Sequence, residues 1–424
     1  MGLSNRTRAL TMGAAIAALM AMPTLASAAD PMGVDDGTQL TLWTRAATQA
    51  RADQLIQAYN ASHKNHVIAT YVVTDDYQTK IGAAAAAGGL PDLFSADVVL
   101  MPNWTSAGLF ADITSRIDGM PGIEKVAQAG ISVGTWNGKK YGMPFIADLS
   151  VWMYNKKLFK QAGLDPEKPP TSLIEFAADA RAIAKLGNGI SGTFWGGNCG
   201  GCEVFTWFPI AWADGETIMN PVGTESHANS DEWKSIYKIF RGKADDGTAL
   251  MPDTKNEAGP TWTSYFPKGK IGLMPMPASL TGLANADLAD ADIGVTAISG
   301  VKGGQATFIG GDDIGVSRDS KKADAAWNFI SWVQSDEAQV EVVAKNGNVL
   351  TRPDLANNKY SAKDPRLVLF NSIAAEGQTP LAKSFGATFL DPQGPWLVIM
   401  RDAVFGDVSN VDADNTAMNN SLNP

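Results

Sequence analysis

Hydrophobic and polar residues alternate along the first part of the chain in a way that predicts strands and helices in turn. Residues 38–44 alternate apolar and polar side chains as a β-strand does, and residues 50–60 place apolar side chains at helical spacing. The same order recurs twice, with strands at 66–73 and 93–98 and helices at 77–87 and 102–109. This order is typical of a mainly parallel sheet flanked by helices, so the pattern predicts an α/β fold.

A second alternating region covers about 149–299, and helices are predicted there at 172–186 and 232–244. Strand spacing reappears further along, followed by helical spacing, at 307–316, 323–334, 360–376 and 395–405. Nothing after residue 28 approaches the run of about 18 apolar residues that a membrane-spanning helix needs. The pattern therefore predicts no spanning helix in this part of the chain.

The first 28 residues have the composition of an export signal. Arg6 and Arg8 precede an apolar stretch at 9–25, and Ala26-Ser27-Ala28 ends it. These features are typical of a secretory signal peptide, and we expect cleavage before Ala29. The residue after that site is not a cysteine, so we expect no lipid anchor. The predicted location is the periplasm of a two-membrane bacterium.

The charge balance and the motifs narrow the function classes. Without Arg6 and Arg8 the chain has 32 basic and 44 acidic residues, with no basic tract, which disfavours nucleic-acid binding. No G-x-S-x-G, HExxH or Walker motif occurs in the sequence. Neighbouring Asp312 and Asp313 face opposite sides of a predicted strand, so they cannot form the carboxyl pair of a glycosidase. Asp148 with Glu203 stays open as such a pair, and an enzyme is kept as an alternative.

The only two cysteines, Cys199 and Cys202, lie in the segment NCGGCE. In an oxidising compartment we expect them to form a short disulfide that stiffens a loop. A redox-active pair would open a helix beside a strand, whereas this segment is predicted to be a glycine-rich loop. A zinc site would need two further ligands, and the three histidines are remote in sequence. We expect no metal and no other cofactor.

Candidate binding residues follow from the predicted topology. In an open sheet of parallel strands, ligands bind beyond the carboxyl ends of the strands. The residues at those ends are Trp43, Arg45, Asp76, Tyr77, Gln78 and Asp97. Trp43 could instead be a core residue, and Asp97 could cap the following helix.

The order of motifs along the chain resembles a known family. Residues 141–170 read YGMPFIADLSVWMYNKKLFKQAGLDPEKPP, after LTLWTRAATQARADQLIQAYNAS and AAAAAGGLPDLFSAD and before GKIGLMPMPASL, FIGGDDIGVSRDSKKADAAWNFISWVQSDEAQ and GNVLTRPDL. This order resembles the extracellular solute-binding proteins (family 1) of carbohydrate ABC transporters, including the maltose-binding proteins. The resemblance implies a two-lobed periplasmic binding protein of type II, the Venus-flytrap class, in which each lobe is a mainly parallel sheet flanked by helices.

The resemblance also implies a division of the chain and a function. Lobe 1 would comprise residues 29–147 and about 307–350, and lobe 2 residues 148–306 and about 351–424, with hinges near 147–150, 300–307 and 349–353. A monomer would bind a mono- or oligosaccharide between the lobes and deliver it to the membrane permease subunits. The alternatives are a binder of a polyol or a glycerol-phosphate ester, a sensor subunit, or a periplasmic carbohydrate-active enzyme.

Several site residues follow from this resemblance and from sugar chemistry. The segment that begins at Glu203 resembles the aromatic sugar-contact segment of the maltose-binding proteins, which implies contacts from Glu203, Phe205 and Asp148. Sugars stack on aromatic rings and bond to carboxylates or arginines. The further candidates are Trp195, Trp212, Trp396, Gly311, Asp312, Asp313 and Arg352. The family's charged pair in the first loop is replaced by Ala47 and Thr48, and a stacking aromatic by Leu280, so the same sugar is not implied.

The aromatic candidates and Arg352 each have an alternative role. The aromatic residues lie at helical spacing and could form a buried stripe instead of ligand platforms. Arg352 precedes Pro353 and could tie down a hinge instead of binding a ligand. Gly310 and Gly311 precede the acidic pair, and two glycines there would let the backbone approach a ligand closely.

Overall fold

The computed structural model describes residues 1–2, 30–241, 252–259, 261–280, 292–374 and 377–424, without the side chains of Thr74, Asp75, Pro252 and Leu280. The predicted signal peptide lies almost wholly outside the described residues. The chain splits into two compact units, Met1–Asp30 and Pro31–Pro424, and the following description concerns the second. Within the described residues, every helix is too short or too polar to span a bilayer.

A seven-stranded sheet lies at the centre of the fold. Strands β1 (Gln39–Arg45), β2 (His66–Val72) and β3 (Leu93–Asp97) pair in parallel, in the spatial order β2-β1-β3. Helices α1 (Gln49–Ser62) and α2 (Thr74–Ala87) connect these strands. The alternation of strand and helix in this region is the one that the hydrophobic pattern predicts.

The remaining strands run antiparallel to their neighbours. They are two short hairpin strands β4 (Thr135–Trp136) and β5 (Lys139–Lys140), the long strand β6 (Met143–Asn155), then β7 (Leu273–Pro277), β8 (Ile293–Thr296), β9 (Ile298–Ser299), β10 (Gln305–Ala306) and β11 (Ile309–Val316). Strand β11 lies between β3 and β6 and is antiparallel to both, and β6 is antiparallel to β7 and β8. The predicted parallel pairing is therefore limited to β1–β3, because β11 returns to the sheet in the opposite direction.

The helices flank this sheet. After α2 they are α3 (Met101–Ser106), α4 (Thr114–Asp118), α5 (Gln128–Val133), α6 (Lys156–Gln161), α7 (Leu173–Ala184), α8 (Gly200–Ala213), α9 (Asp231–Arg241), α10 (Ala323–Val333), α11 (Pro365–Ala374), α12 (Pro395–Met400) and α13 (Val411–Leu422). The side chain of Ser172 caps α7 by accepting from the backbone N–H of Glu175, so α7 begins where the sequence predicts it.

Strand β6 joins the two parts of the molecule. Its first half pairs with β11, and its second half pairs with β7 and β8. One hydrophobic core contains Leu42, Ile56 and Phe329, and it includes only residues from 40–146 and 314–350. Asp148 lies in the middle of β6, where the strand passes from the first set of partners to the second.

Candidate functional site

The carboxyl ends of β1 and β3 meet β11 at an ion-pair cluster centred on Arg45. Arg45 donates from Nη1 to Asp97 at 2.7 Å and from Nε to Asp312 at 2.8 Å. Burial alone would lower the pKa of Arg45, but the neighbouring carboxylates of Asp312 and Asp97 outweigh it and raise the pKa. Arg45 therefore joins the ends of these strands, and its contact with a ligand stays a prediction.

Asp312 holds this cluster together and has no acceptor position left for a ligand. Its Oδ1 accepts from Arg45, and its Oδ2 accepts from Ser95 Oγ at 2.8 Å and from Thr48 Oγ1 at 3.2 Å. The side chain is fully buried. Gly311 has φ +107°, and a Cβ there would lie 1.8 Å from the carbonyl oxygen of Ile146. Gly311 and Asp312 therefore serve the strand junction in this structure, and their contact with a ligand stays a prediction.

Asp97 is the acidic member of the cluster that remains partly open. Its side chain is 27% exposed, and its Oδ1 accepts from the backbone N–H of Val99 at 3.3 Å. Burial raises the pKa of Asp97, and the nearby Arg45 offsets part of that increase. Asp97 thus caps the turn at 98–100, as its alternative role predicts, and keeps acceptor capacity toward solvent.

The start of α2 lies beside the end of β1. The hydroxyl of Tyr77 lies 2.9 Å from the carbonyl oxygen of Trp43 and 2.6 Å from that of Ser95, and Tyr77 is buried. Tyr77 therefore joins the ends of two strands, and its contact with a ligand stays a prediction. Trp43 is half-buried, and Lys80 Nζ lies 4.2 Å from its ring centroid, a cation–π contact that sequence reasoning missed.

Asp76 and Gln78 are exposed on the same helix start, and the C-terminal part of the chain approaches Gln78 there. A Cβ at Gly386 would lie 3.9 Å from Gln78 Oε1 and 3.6 Å from Leu100 Cδ2. Asn103 Nδ2 donates to the carbonyl oxygen of Lys383 at 3.2 Å. The N-terminal and C-terminal parts of the chain therefore touch at this point. Asp76 and Gln78 stay predicted ligand contacts, whereas sequence reasoning did not single out Asn103, Lys383 or Gly386.

Phe205 lies on α8, and its aromatic ring is the next candidate for the site. The ring is half-buried, and a Cβ at Gly310 would lie 2.7 Å from its Cε2 atom. Gly310 therefore lets α8 pack closely on the start of β11. Trp212, further along α8, is nearly buried and stacks on Phe308 at a centroid distance of 5.6 Å. Trp212 is thus mainly a packing residue, whereas Phe205 keeps part of its ring uncovered.

Three other predicted contacts lie in the core. Trp195 is 1% exposed and packs edge-on against Trp207, and Trp396 is fully buried against Phe208. Both rings are covered by protein in this structure, and their role as ligand platforms stays a prediction. The alternative of a buried aromatic stripe accounts for both rings.

Glu203, the first residue of the predicted sugar-contact segment, is fully buried as well. Neither of its carboxylate oxygens has a hydrogen-bond partner among the described residues. Burial raises the pKa of Glu203 well above its ordinary value, and Arg401 offsets this only in part. Glu203 is therefore a buried carboxyl group in this structure, and its contact with a sugar stays a prediction.

Asp148 is engaged with the protein on both oxygens. Oδ1 accepts from the backbone N–H groups of Leu149 at 2.9 Å and Ser279 at 3.1 Å, and Oδ2 accepts from Arg51 at 3.1 Å and from the Ser279 hydroxyl at 2.5 Å. These four bonds fill the acceptor positions of a carboxylate. Asp148 is therefore engaged by protein groups in this structure, and its contact with a ligand stays a prediction.

Arg352 and Asp313 also face protein. Arg352 donates to Asp354 at 2.7 Å and to the carbonyl oxygen of Gln334 at 2.8 Å, so it holds its segment in place, as its alternative role predicts.

Asp313 is buried, its Oδ2 has no partner in the described part of the chain, and burial raises its pKa well above the ordinary value. It lines a cavity of about 440 Å³, partly open to solvent, together with Gly130 and Thr351.

Cys199 and Cys202 form the predicted disulfide, with their Cα atoms 5.2 Å apart. Their location differs from the prediction, because Gly200 and Gly201 belong to the first turn of α8. Cys199 is the N-cap of that helix, and its Sγ accepts from the backbone N–H of Cys202 at 3.1 Å. The pair thus fixes the start of the helix that carries Phe205.

Comparisons with known proteins agree with this architecture. A sequence model described as bacterial extracellular solute-binding protein matches residues 54–368. A putative binding protein of Brucella abortus is 25% identical over 252 residues. The match covers 58% of this chain and only 59% of that relative's length. The diacetylchitobiose binding protein DasA of Streptomyces coelicolor is 24% identical over 377 residues, covering 86% of this chain and 83% of that protein.

A solved structure shows the same fold. The ABC transporter solute-binding protein of Thermotoga lettingae, bound with alpha-D-tagatose, has a TM-score of 0.76 at 19% identity. The alignment covers 91% of this chain and 100% of that one. This similarity confirms the predicted two-lobed α/β class, while the residue bounds of the two lobes stay a prediction.

Proposed function

This chain belongs to the family of bacterial extracellular solute-binding proteins, and from that premise we propose that it is the substrate-binding component of an ABC importer. It binds a mono- or oligosaccharide in the cleft between its lobes and delivers it to the membrane permease. The names of two similar proteins support the ligand class, since one binds diacetylchitobiose and the other was solved with alpha-D-tagatose. We propose the periplasm as its location, without a lipid anchor, and a monomer as its working state.

The observation that carries the carbohydrate assignment is that a carboxylate and an aromatic ring both stay partly exposed, and we infer that they face the cleft from its two walls. Asp97 is held by Arg45 and still exposed, and Phe205 offers part of a ring from α8. A carboxylate accepts hydrogen bonds from sugar hydroxyls, and a ring stacks on the C–H face of a sugar. Together these groups match the two kinds of surface that a sugar presents.

A neutral ligand fits this site better than a phosphate ester. A phosphate needs converging cations or free backbone N–H groups. Arg45 already pairs with Asp97 and Asp312, and Arg352 already pairs with Asp354 and Asp336. Binding a phosphate to either arginine would require breaking one of these pairs, so we rank glycerol-phosphate esters below sugars and polyols.

We propose further that the protein binds its ligand without chemical conversion. A glycosidase needs two accessible carboxyl groups on either side of one bond. Of the pair that the sequence left open, Asp148 has its acceptor positions filled and Glu203 is buried. Ligand binding then acts through the equilibrium between open and closed lobes, because only the closed form lets both walls contact the sugar.

Thermal unfolding tests this proposal most directly. Residues 29–424, unfolded and refolded to remove bound ligand, would be heated with monosaccharides, disaccharides, oligosaccharides, polyols and glycerol phosphates. A ligand at a hundred times its dissociation constant adds about 2.7 kcal/mol to stability, which raises the midpoint measurably. We expect a rise confined to one group of sugars. A rise with glycerol phosphates alone, or with no compound of the panel, would overturn the carbohydrate assignment.

A further inference from the structure

The carboxylate of Asp148 connects two segments that are distant in sequence. Arg51 Nη1 donates to Oδ2 at 3.1 Å, and the hydroxyl and backbone N–H of Ser279 donate to Oδ2 and Oδ1 at 2.5 and 3.1 Å. Arg51 lies on α1, and Ser279 follows β7. In the proposed division of the chain these partners belong to different lobes, and Asp148 lies in the first hinge.

The contacts are largely shielded from water. Asp148 is 7% exposed, and the Arg51 side chain is 16% exposed. An ion pair in such surroundings is screened less than one on the surface, and its loss leaves a carboxylate without a counter-ion. Arg51 also donates from Nη1 to the carbonyl oxygen of Ala147 at 3.1 Å, so it holds the backbone of the hinge as well as the carboxylate.

The same helix holds a second hinge segment. Gln54, three residues after Arg51 on α1, accepts from Asn348 Nδ2 at 2.8 Å, directly before the predicted hinge at 349–353. Arg51, Gln54, Ala147 and Asn348 line one small pocket. Helix α1 thus contacts both strand β6 at Ala147 and the loop at Asn348, the two segments that lead into predicted hinges.

We propose that Arg51, Asp148 and Ser279 form a hinge latch that stabilises the arrangement in which the lobes touch at Asn103 and Lys383. Asp148 then positions the lobes and does not contact the ligand, although the family resemblance places it at a contact carboxylate. This inference rests on the proposed function in one respect, which is that the latch would regulate closure around the solute. The latch itself is a property of the ligand-free chain.

Small-angle X-ray scattering of ligand-free protein tests the latch without any sugar. Arg51→Gln keeps the length of the side chain and removes its charge, and Ser279→Ala removes the hydroxyl donor. We expect both variants to have a larger radius of gyration than the wild type, because the lobes separate more often. Arg116→Gln is the matched control, since Arg116 pairs with Asp324 away from the hinge, and it should leave the radius unchanged. Equal radii for wild type, Arg51→Gln and Ser279→Ala would overturn the latch.

A merely structural role for Arg51 predicts a different result. It would lower the unfolding temperature of Arg51→Gln and leave the radius of gyration unchanged. Arg51→Lys restores a cation near Asp148, and we expect it to return the radius toward the wild-type value, whereas no recovery would count against the latch. If Arg51→Gln does not fold by circular dichroism, Ser279→Ala and its conservative partner Ser279→Thr carry the same comparison. Since no ligand enters these measurements, a wrong sugar assignment would not affect their outcome.

Discussion

Asp97 accepts a 2.7 Å hydrogen bond from Arg45 and still exposes about a quarter of its side chain to solvent. Arg45 also bonds to the buried Asp312, so the guanidinium group is held in place and in turn fixes the carboxylate of Asp97. This one bond leaves other acceptor positions of Asp97 unfilled. A carboxylate that is held rigidly and remains open loses little entropy when it binds a ligand hydroxyl. This relationship makes Asp97 the strongest candidate for direct contact with the solute.

We expect Asp97→Asn to weaken sugar binding by about 1.5 to 3 kcal/mol, the range for a hydrogen bond to a charged group. Asparagine caps a helical turn as well as aspartate does, so the turn at 98–100 should persist. Isothermal titration calorimetry with the sugar that gives the largest thermal shift measures the change. Asp112→Asn serves as the control, because Asp112 pairs with Lys139 on the exposed surface. Unchanged affinity in Asp97→Asn would remove Asp97 from the site.

Phe205→Ala should also weaken binding, by about 0.5 to 1.5 kcal/mol if the ring stacks on the sugar. The ring is half-buried against Gly310, so part of its surface faces the cleft. Phe205→Tyr keeps the stacking face and should bind nearly as the wild type does. Titration of both variants with the same sugar compares them, and equal affinities for the alanine and tyrosine variants would contradict stacking by Phe205.

Trp195→Ala should act on stability instead. The ring is 1% exposed and packs against Trp207 and Phe240, so its removal leaves a cavity in the core. Truncation of a buried tryptophan costs about 3 to 5 kcal/mol of unfolding free energy. Urea unfolding monitored by circular dichroism measures this loss. A variant with normal stability and reduced sugar affinity would instead return Trp195 to the binding site.

The hydrophobic pattern predicts the strands and helices of the first region because each of these elements buries one face. Apolar side chains therefore repeat at one spacing in a strand and at another in a helix. Residues 38–44 were predicted as a strand and form β1 at Gln39–Arg45, and the meeting of strand ends around Asp97 follows from parallel pairing. The path of β11 could not be read from the same pattern. A period of two shows which face of a strand is buried and does not show the direction of its neighbour.

The sequence does not show which candidate side chains are buried, and burial separates residues of the same chemistry. Trp43 and Trp195 have the same chemistry in the sequence, yet the first is half-buried beside Lys80 and the second is enclosed by aromatic rings. Asp148 interrupts an apolar strand, as a ligand carboxylate would, and the sequence does not show that Arg51 and Ser279 reach it. Partners remote in sequence determine which acids stay open to a ligand.

The pH dependence of stability should reflect the two buried acids, Glu203 and Asp313. Burial raises the pKa of both carboxyls well above their ordinary values of 4.5 and 3.8, so the folded chain holds protons that the unfolded chain releases. Their contribution is complete below the unfolded pKa and is lost as pH rises through the folded pKa. We therefore expect Asp313→Asn to lose less stability than the wild type between about pH 5 and 8, since its amide does not ionise.

Urea unfolding at several pH values measures this difference. Asp112→Asn is the control, because hydrogen bonds from Thr114 and Lys139 lower the pKa of Asp112 to about 2, below the tested range. Its curve should run parallel to that of the wild type. Parallel curves for Asp313→Asn as well would show that Asp313 does not carry a raised pKa in the folded protein.

The disulfide at the start of α8 should stabilise the fold without being required for sugar recognition. Cys199 and Cys202 are three residues apart, and closing so short a loop stabilises a chain by about 2 kcal/mol in the loop-entropy estimate. We expect the Cys199→Ser/Cys202→Ser variant to lose stability of that order in urea unfolding and to be insensitive to dithiothreitol, to which the wild type responds. Its serine at position 199 remains a good N-cap, so α8 and Phe205 should keep their places. A variant that unfolds like the wild type but fails to bind the sugar would show that the disulfide serves recognition and not stability.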